Sequence, residues 1–215
     1  MLTLEIFSDV ICPWCFIGKQ RLDRILESDL GNQVELRWRP YLLAPNLPPE
    51  GIARADFLRR RHGDGAAEAA HKIPSRVSAA ASEEQLTLRY DLIQRVPNTR
   101  LAHHLLEWSY ASGKQHALAE QLFRAYFQEG RDIGDANELV RASKSAGLNV
   151  AALGWLPEPT PKQEKRLSDQ LERALPLNIS AVPAYVMGGR YMLPGVQSET
   201  TFRQIIERAI ERLAS

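Results

Sequence analysis

Alternating apolar and polar side chains open the chain. Residues 2–7 alternate in this way, which predicts a β-strand with one buried face. Residues 19–27 carry apolar side chains at helical spacing, and residues 34–38 alternate again after Gly31 ends the helical run. Strand, helix and strand within about 40 residues predict a βαβ unit with parallel strands and a right-handed crossover.

The centre of the chain has a different pattern. A loop rich in proline follows Pro40, and from about Arg54 to Leu177 nearly every segment is predicted to be a helix or a connector. Four helices are predicted at residues 56–61, 66–81, 99–112 and 118–128. Two more begin at predicted capping boxes: one begins at 135–138 and ends at Gly147, and the other begins at 160–163 and continues through Leu175. We therefore predict a helical insertion at 46–169.

Strand patterns return near the end of the chain. Two short runs, 184–187 and 190–193, are separated by Gly188 and Gly189, which is typical of a β-hairpin. Ser198 is a candidate cap for a last helix. Its predicted apolar face comprises Phe202, Ile205, Ile206, Ala209, Ile210 and Leu213. The chain is therefore predicted to end as helix, hairpin and helix in an α/β protein.

The only two cysteines lie at the first strand-to-helix junction, in the sequence Cys12-Pro13-Trp14-Cys15. Pro13 suits the first helical position, so Cys12 is predicted to cap the helix, where free N–H groups stabilise a thiolate. We expect Cys12 to be exposed there. Cys15 should lie inside the first turn on the same face, close enough to attack a mixed disulfide at Cys12. This spacing favours a reversible dithiol/disulfide pair.

Other uses of two cysteines are less well supported. A zinc site needs two further ligands, and the chain has no second cysteine pair and no histidine pair at the usual spacing among His62, His71, His103, His104 and His116. No metal site is predicted. A disulfide between such close residues removes little entropy from the unfolded chain. Two inert thiols stay open as an alternative.

Composition narrows the class of protein. The chain has 215 residues, 44% of them hydrophobic, and a formal net charge of +1. This charge balance predicts neither a nucleic-acid partner nor binding to an anionic membrane. The first residues have no pattern of a secretory signal, and no apolar run approaches the length of a membrane span. We therefore expect a cytoplasmic protein.

The order of these elements resembles the DsbA-like branch of the thioredoxin superfamily. Five segments are further similar to its FrnE-like subfamily of cytosolic thiol–disulfide oxidoreductases: residues 8–19, 38–41, 97–103, 122–127 and 181–185. The resemblance implies a thioredoxin-like α/β fold, βαβ followed by αββα, with a large all-α insertion. The thioredoxin-like domain is then expected at 1–45 and 170–215.

The resemblance also implies roles for matching residues. Cys12 corresponds to the nucleophilic cysteine and Cys15 to the resolving one. Val182-Pro183 resembles the family's cis-proline segment, whose backbone faces the cysteines and pairs with substrate like an added strand. The sequence departs from the usual pattern at Ala181, where glycine is common, and at 194–197.

Three further polar residues are candidates for supporting roles. Asp9, three residues before Cys12, can relay a proton or only cap a turn. Asn98 and His103 lie in a segment that recurs in the resembled subfamily. Asn98 can equally cap the helix that starts near Thr99. These alternatives stay open on the sequence alone.

The sequence thus predicts a thiol–disulfide oxidoreductase or isomerase that works through a mixed disulfide. Protein thiols and small thiols are both candidate substrates, and neither the recycling partner nor the net direction is specified. No metal or organic cofactor is expected, with glutathione a candidate co-substrate. Two alternative functions are a glutathione-dependent isomerase or transferase of the kappa class, against which Cys15 argues, and a non-enzymatic module that switches binding with redox state.

Overall fold

A computed structural model describes the backbone of residues 1–214 and the side chains of residues 1–212. The predicted apolar position Leu213 therefore lies outside the described side chains. Within the described residues the strands are β1 (Leu2–Ser8), β2 (Val34–Pro40), β3 (Ile52–Ala53), β4 (Arg95–Val96), β5 (Ala184–Met187) and β6 (Tyr191–Pro194). The α-helices are α1 (Pro13–Leu26), α2 (Arg54–His62), α3 (Ser75–Glu83), α4 (Arg100–Ser109), α5 (Gln115–Phe127), α6 (Ala136–Ser145), α7 (Pro161–Glu172) and α8 (Glu199–Ala214).

A four-stranded sheet in the order β2-β1-β5-β6 forms the centre of the fold. Strands β1 and β2 pair in parallel, with Ser8 opposite Pro40, and α1 connects them. Strand β5 runs antiparallel to β1, with Ala184 opposite Phe7, and β6 completes the hairpin. This register places the residues just before β5 beside the end of β1, where α1 begins. The predicted βαβ unit, the hairpin and the α/β class are confirmed.

Helix α1 lies in the core because it contacts both the sheet and the helical segment. Its Phe16 ring stacks on Phe123 of α5 at 5.2 Å between ring centroids, and Phe127 lies 6.0 Å away. All three side chains are buried, and each such ring contributes about 1.5–3 kcal/mol through burial. One apolar cluster therefore includes side chains from the sheet, α1 and the central helices.

The helical segment differs from the predicted pattern in several places. The run predicted at 66–81 divides into a 3₁₀ turn (Asp64–Ala69) and α3, because Pro74 precedes the second helix and disfavours helical backbone before it. Helix α7 ends at Glu172, short of Leu175, which is 73% exposed. Strands β3 and β4, which pair with each other, were not predicted because two residues show no periodicity. The boundaries at 45 and 170 stay a prediction.

The two predicted capping boxes also have different outcomes. At α7 the box forms: Thr160 Oγ1 accepts from the Gln163 N–H, and Gln163 Oε1 accepts from the Thr160 N–H. At α6 Asp135 caps the helix alone, because the Glu138 side chain pairs with Arg131 instead. Among the described residues, no helix is both long enough and apolar enough to cross a membrane.

Gly18 allows α1 to lie close to β5. A Cβ atom on Gly18 would lie 2.3 Å from the hydroxyl oxygen of Tyr185. Tyr185 is 1% exposed and packs on Phe202 at 4.5 Å between ring centroids, so it cannot easily move away. The absence of a side chain at this helical position is therefore a packing requirement.

We expect Gly18→Ala to lower the free energy of unfolding by about 1–3 kcal/mol because it overpacks this contact. Helix propensity alone would favour alanine by about 1 kcal/mol. Urea unfolding of the variant measures the difference. In a Tyr185→Phe background Gly18→Ala should lower the free energy of unfolding by less, because the hydroxyl that it would contact is absent. An equal decrease in both backgrounds would exclude this contact as the cause.

Candidate active site

The two cysteines lie in the turn between β1 and α1 and in the first turn of the helix. The chain leaves β1 after Ser8, and the Cys12 N–H donates to the Asp9 carbonyl at 3.0 Å. Cys12 is the N-cap residue in extended conformation, with Pro13 at the first helical position, as predicted. The Cys15 N–H donates to the Cys12 carbonyl at 3.1 Å, which tightens the first turn. Both cysteines are free thiols.

Val182 and Pro183 lie directly against Cys12. The Val182–Pro183 peptide bond is cis. The Cys12 thiol donates to the Val182 carbonyl, with 3.6 Å between sulfur and oxygen. Cys12 is consequently only 3% exposed, which corrects the expectation of an exposed thiol. The physical reason is the sheet register, which brings this distant segment over the start of α1.

Cys15 lies deeper, at 1% exposure. Burial raises the pKa of its thiol well above the ordinary value, and the neighbouring Cys12 raises it further through a hydrogen bond and charge repulsion. The Ser8 hydroxyl and the Asp9 backbone lower the pKa of Cys15, but by less. Cys15 is therefore held as a neutral thiol and needs a proton acceptor before it can act as a nucleophile.

The reduced protein should therefore lose stability in alkaline solution. The unfolded chain releases the Cys15 proton near its ordinary pKa of roughly 8.5, whereas the folded chain keeps it. Above that pH the free energy of unfolding should fall by up to about 1.4 kcal/mol per pH unit from this group. Chemical denaturation at several pH values measures it. Cys15→Ala should lack this part of the decline, and equal declines in both proteins would contradict the assignment.

Asp9 is fully buried and contacts two segments distant in the chain. Its Oδ2 accepts from the Leu43 N–H at 2.8 Å, which holds the loop after β2 against the start of α1. Its Oδ1 lies 3.4 Å from Nε2 of His103, which α4 carries and which is 2% exposed. The structure therefore brings Asp9 and His103 together behind the cysteines.

The remaining residues that the sequence named as candidates are Asn98, Pro13 and Trp14. Both side-chain hydrogen bonds of Asn98 go elsewhere: its Nδ2 donates to the Leu47 carbonyl at 2.8 Å, and its Oδ1 accepts from the Arg100 N–H at 3.1 Å. Asn98 thus ties a loop to the start of α4, as the capping alternative implied. Pro13 and Trp14 are half-buried, and Trp14 packs against the core.

Sequence reasoning missed two residues of the site. Ser8 faces Cys15 and is 3% exposed, but its sequence pattern was that of a strand end. Tyr185 is close enough to both cysteines that their negative charge adds to the effect of burial in raising its pKa. Its position in the predicted strand 184–187 indicated only that Tyr185 is a core residue. In the part of the chain that the structure describes, no group of three His, Cys, Asp or Glu side chains could hold a metal ion.

Comparisons with known proteins identify the family. The profile of the DSBA-like thioredoxin domain matches residues 3–207. The chain is 26% identical to a probable DsbA oxidoreductase from Streptomyces coelicolor, with a TM-score of 0.82 over 97% of this chain and 90% of that one. It is 24% identical to the uncharacterised YwbO protein of Bacillus subtilis (strain 168) over 94% of both chains. 

A second solved structure shares the fold at lower identity. The cytosolic disulfide reductase DsbM from Pseudomonas aeruginosa, solved with GSH, is 17% identical, with a TM-score of 0.58 over 99% of this chain and 97% of that one. The thioredoxin-like fold implied by the sequence is thereby confirmed. The chain belongs to the DSBA-like thioredoxin domain family and is a thiol–disulfide oxidoreductase.

Proposed function

We propose that Cys12 and Cys15 carry out thiol–disulfide exchange through a mixed disulfide. The Cys12 thiolate attacks one sulfur of a substrate disulfide, and the other substrate sulfur leaves as a thiolate. Cys15, after losing its proton, attacks Cys12 and releases the second substrate thiolate. The substrate disulfide gains two electrons and the cysteine pair loses them. The reverse sequence oxidises a substrate dithiol, and the reduction potential of the pair decides the net direction.

The observation that carries this proposal is the arrangement around Cys12. Its sulfur is at a helix N-cap and 3.6 Å from the Val182 carbonyl, next to the neutral thiol of Cys15. Cys12 is the N-cap residue and contacts the Val182 carbonyl, whereas burial disfavours a thiolate at Cys15. The two thiols are therefore inequivalent, which is the arrangement that one attacking and one resolving cysteine need.

The Val182–Pro183 segment is proposed as the substrate contact. An incoming disulfide has to replace the hydrogen bond between the Cys12 thiol and the Val182 carbonyl, and a substrate backbone N–H can then pair with that carbonyl. Such pairing accepts many sequences, so protein substrates and small thiols such as glutathione both fit. The FrnE-like subfamily and a cytoplasmic setting, both expected from the sequence, belong to this proposal.

We expect the wild-type protein to catalyse reduction of insulin by dithiothreitol and exchange with oxidised glutathione. Turbidity of the released insulin chains and reduced glutathione formed per protein measure the two activities. Many turnovers per chain support the oxidoreductase mechanism. A protein that changes its binding with redox state but shows no turnover would instead be a redox-switched binding module, and the proposal would be wrong.

A further inference from the structure

The resolving step leaves one question open: which group receives the proton of Cys15. The thiol is 1% exposed, so water from bulk solvent does not reach it in this conformation. The Ser8 hydroxyl faces the sulfur and favours its thiolate, and Ser8 Oγ has no regular hydrogen-bond partner among the described residues. A hydroxyl can pass a proton but cannot keep it, so a base must lie beyond Ser8.

Asp9 and His103 lie beyond it. Their facing atoms, Oδ1 and Nε2, are 3.4 Å apart and buried, and neither makes a regular hydrogen bond to any described residue. Buried polar atoms without a partner are unusual and costly, and they call for a functional explanation. A proton taken up by the pair would make it a carboxylate and an imidazolium, and the attraction between these opposite charges would draw the two atoms into a hydrogen bond.

A small cavity connects Ser8 to His103. Both residues line it, together with side chains of β2 and α4, and its volume is about 10 Å³. A cavity of this size holds about one water molecule when polar groups surround it. Ser8, which faces the sulfur of Cys15, and the imidazole of His103 therefore border the same small cavity.

The other ionisable groups around the pair already have partners or remain neutral. They are Glu107 and His104 of α4, Arg39 of β2 and Tyr126 of α5. Glu107 accepts from Arg37 and Arg166, His104 pairs with Glu164, and Arg39 pairs with Glu5. Burial raises the pKa of Tyr126, which keeps its phenol neutral. The Asp9–His103 pair is thus the group that can still gain a proton.

We propose that the Asp9–His103 pair, reached through Ser8, takes up the proton that Cys15 releases as it resolves the mixed disulfide. This inference rests on the proposed function. Cys15 transfers its proton to the pair, and its sulfur then forms the bond to Cys12 while the bond from Cys12 to substrate sulfur breaks. The substrate leaves as a thiolate. When the protein is reduced again, the pair returns the proton to Cys15.

A single-turnover reaction of the reduced protein with oxidised glutathione tests this proposal. Acid quenching, alkylation and intact-mass measurement separate the Cys12–glutathione species from the internal disulfide at each time. In His103→Gln and Asp9→Asn we expect formation of the mixed disulfide to keep its wild-type rate near pH 7. Its resolution should slow by about 10²-fold, because a positioned base contributes about 10²–10⁴-fold. Ser8→Ala should slow resolution by about tenfold.

The pH dependence of resolution distinguishes proton transfer from damage to the fold. Without the pair, Cys15 must release its proton to solvent, so the resolution rate should rise about tenfold per pH unit between pH 6 and pH 9. In the wild-type protein the rate should rise less steeply with pH, because the pair takes the proton. His104→Gln is the matched control, since His104 is the buried neighbour of His103 on α4 and pairs with Glu164 instead. It should behave as the wild-type protein does.

Three results would each overturn the proposal. One is wild-type resolution rates and pH dependence in His103→Gln and Asp9→Asn. A second is equal slowing of attack and of resolution in these variants. The third is slower resolution in His104→Gln as well. If the larger substitutions fail to fold, Ser8→Ala decides, because it removes a single hydroxyl. A wild-type protein that never forms the Cys12–glutathione species would refute the proposed function itself, which separates that failure from failure of the proton path.

Discussion

Replacing Cys12 with serine is expected to reduce thiol–disulfide exchange to the rate measured without protein. Serine has nearly the same size, so the N-cap and the contact with the Val182 segment should persist. A hydroxyl is not a nucleophile toward disulfides under these conditions and cannot form the covalent intermediate. A loss of about 10³-fold or more should follow, because only the background reaction is left. Insulin reduction and glutathione exchange measure it.

The folded state of this variant needs a separate measurement. Thermal unfolding of Cys12→Ser should stay close to that of the reduced wild-type protein, because serine is nearly the same size and its hydroxyl can donate to the Val182 carbonyl as the thiol does. Activity that persists in a folded Cys12→Ser protein would show that Cys15 attacks substrate directly. That result would reverse the roles assigned to the two cysteines.

Local patterns predicted the elements that present the cysteines. The alternation of β1 and β2 and the helical spacing of α1 each depend on a few neighbouring residues, and the structure has all three. The hairpin of β5 and β6 followed from its two glycines, both of which have positive φ. Pairing of β3 with β4 could not be predicted, because each strand has two residues and is held by distant contacts.

Contacts between distant segments explain what sequence reasoning got wrong at the site. Cys12 was expected to be exposed because a helix start usually faces solvent, yet Val182, 170 residues away in the chain, lies against its sulfur. The approach of His103 to Asp9 depends in the same way on how α4 packs against β2, the neighbour of β1 in the sheet. No spacing in the sequence reports such distances. The family resemblance pointed to Cys12, Val182 and His103 as site residues, but it did not predict which residues they contact.

The role of Ser8 could not be predicted from the sequence for a second reason. It ends a buried strand, and its polarity there is unremarkable on the sequence, since strands commonly end in polar residues. Its significance arises only from the sulfur that it faces and from the absence of another regular hydrogen-bond partner among the described residues. Unpartnered buried atoms are visible only in three dimensions.

Replacing Cys15 with serine should have the opposite effect to replacing Cys12. The attacking thiol and its contact with Val182 are retained, so oxidised glutathione should still react with Cys12. The resolving nucleophile is absent, so the reaction should stop at the mixed disulfide. We expect nearly one glutathione bound per chain, released by dithiothreitol, where the wild-type protein shows only a transient species. Intact-mass measurement and peptide mapping locate the modification.

The burial of Cys15 makes this outcome a strict test of the assigned roles. Burial raises the pKa of the Cys15 thiol well above its ordinary value, and this burial persists when Cys12 is absent, so Cys15 reacts poorly with a disulfide in solution. Cys12→Ser should therefore acquire little or no glutathione under conditions that label Cys15→Ser completely. If Cys12→Ser is labelled as fast as Cys15→Ser, the two thiols are equally accessible. The inequivalence inferred from the N-cap position of one cysteine and the burial of the other would then be wrong.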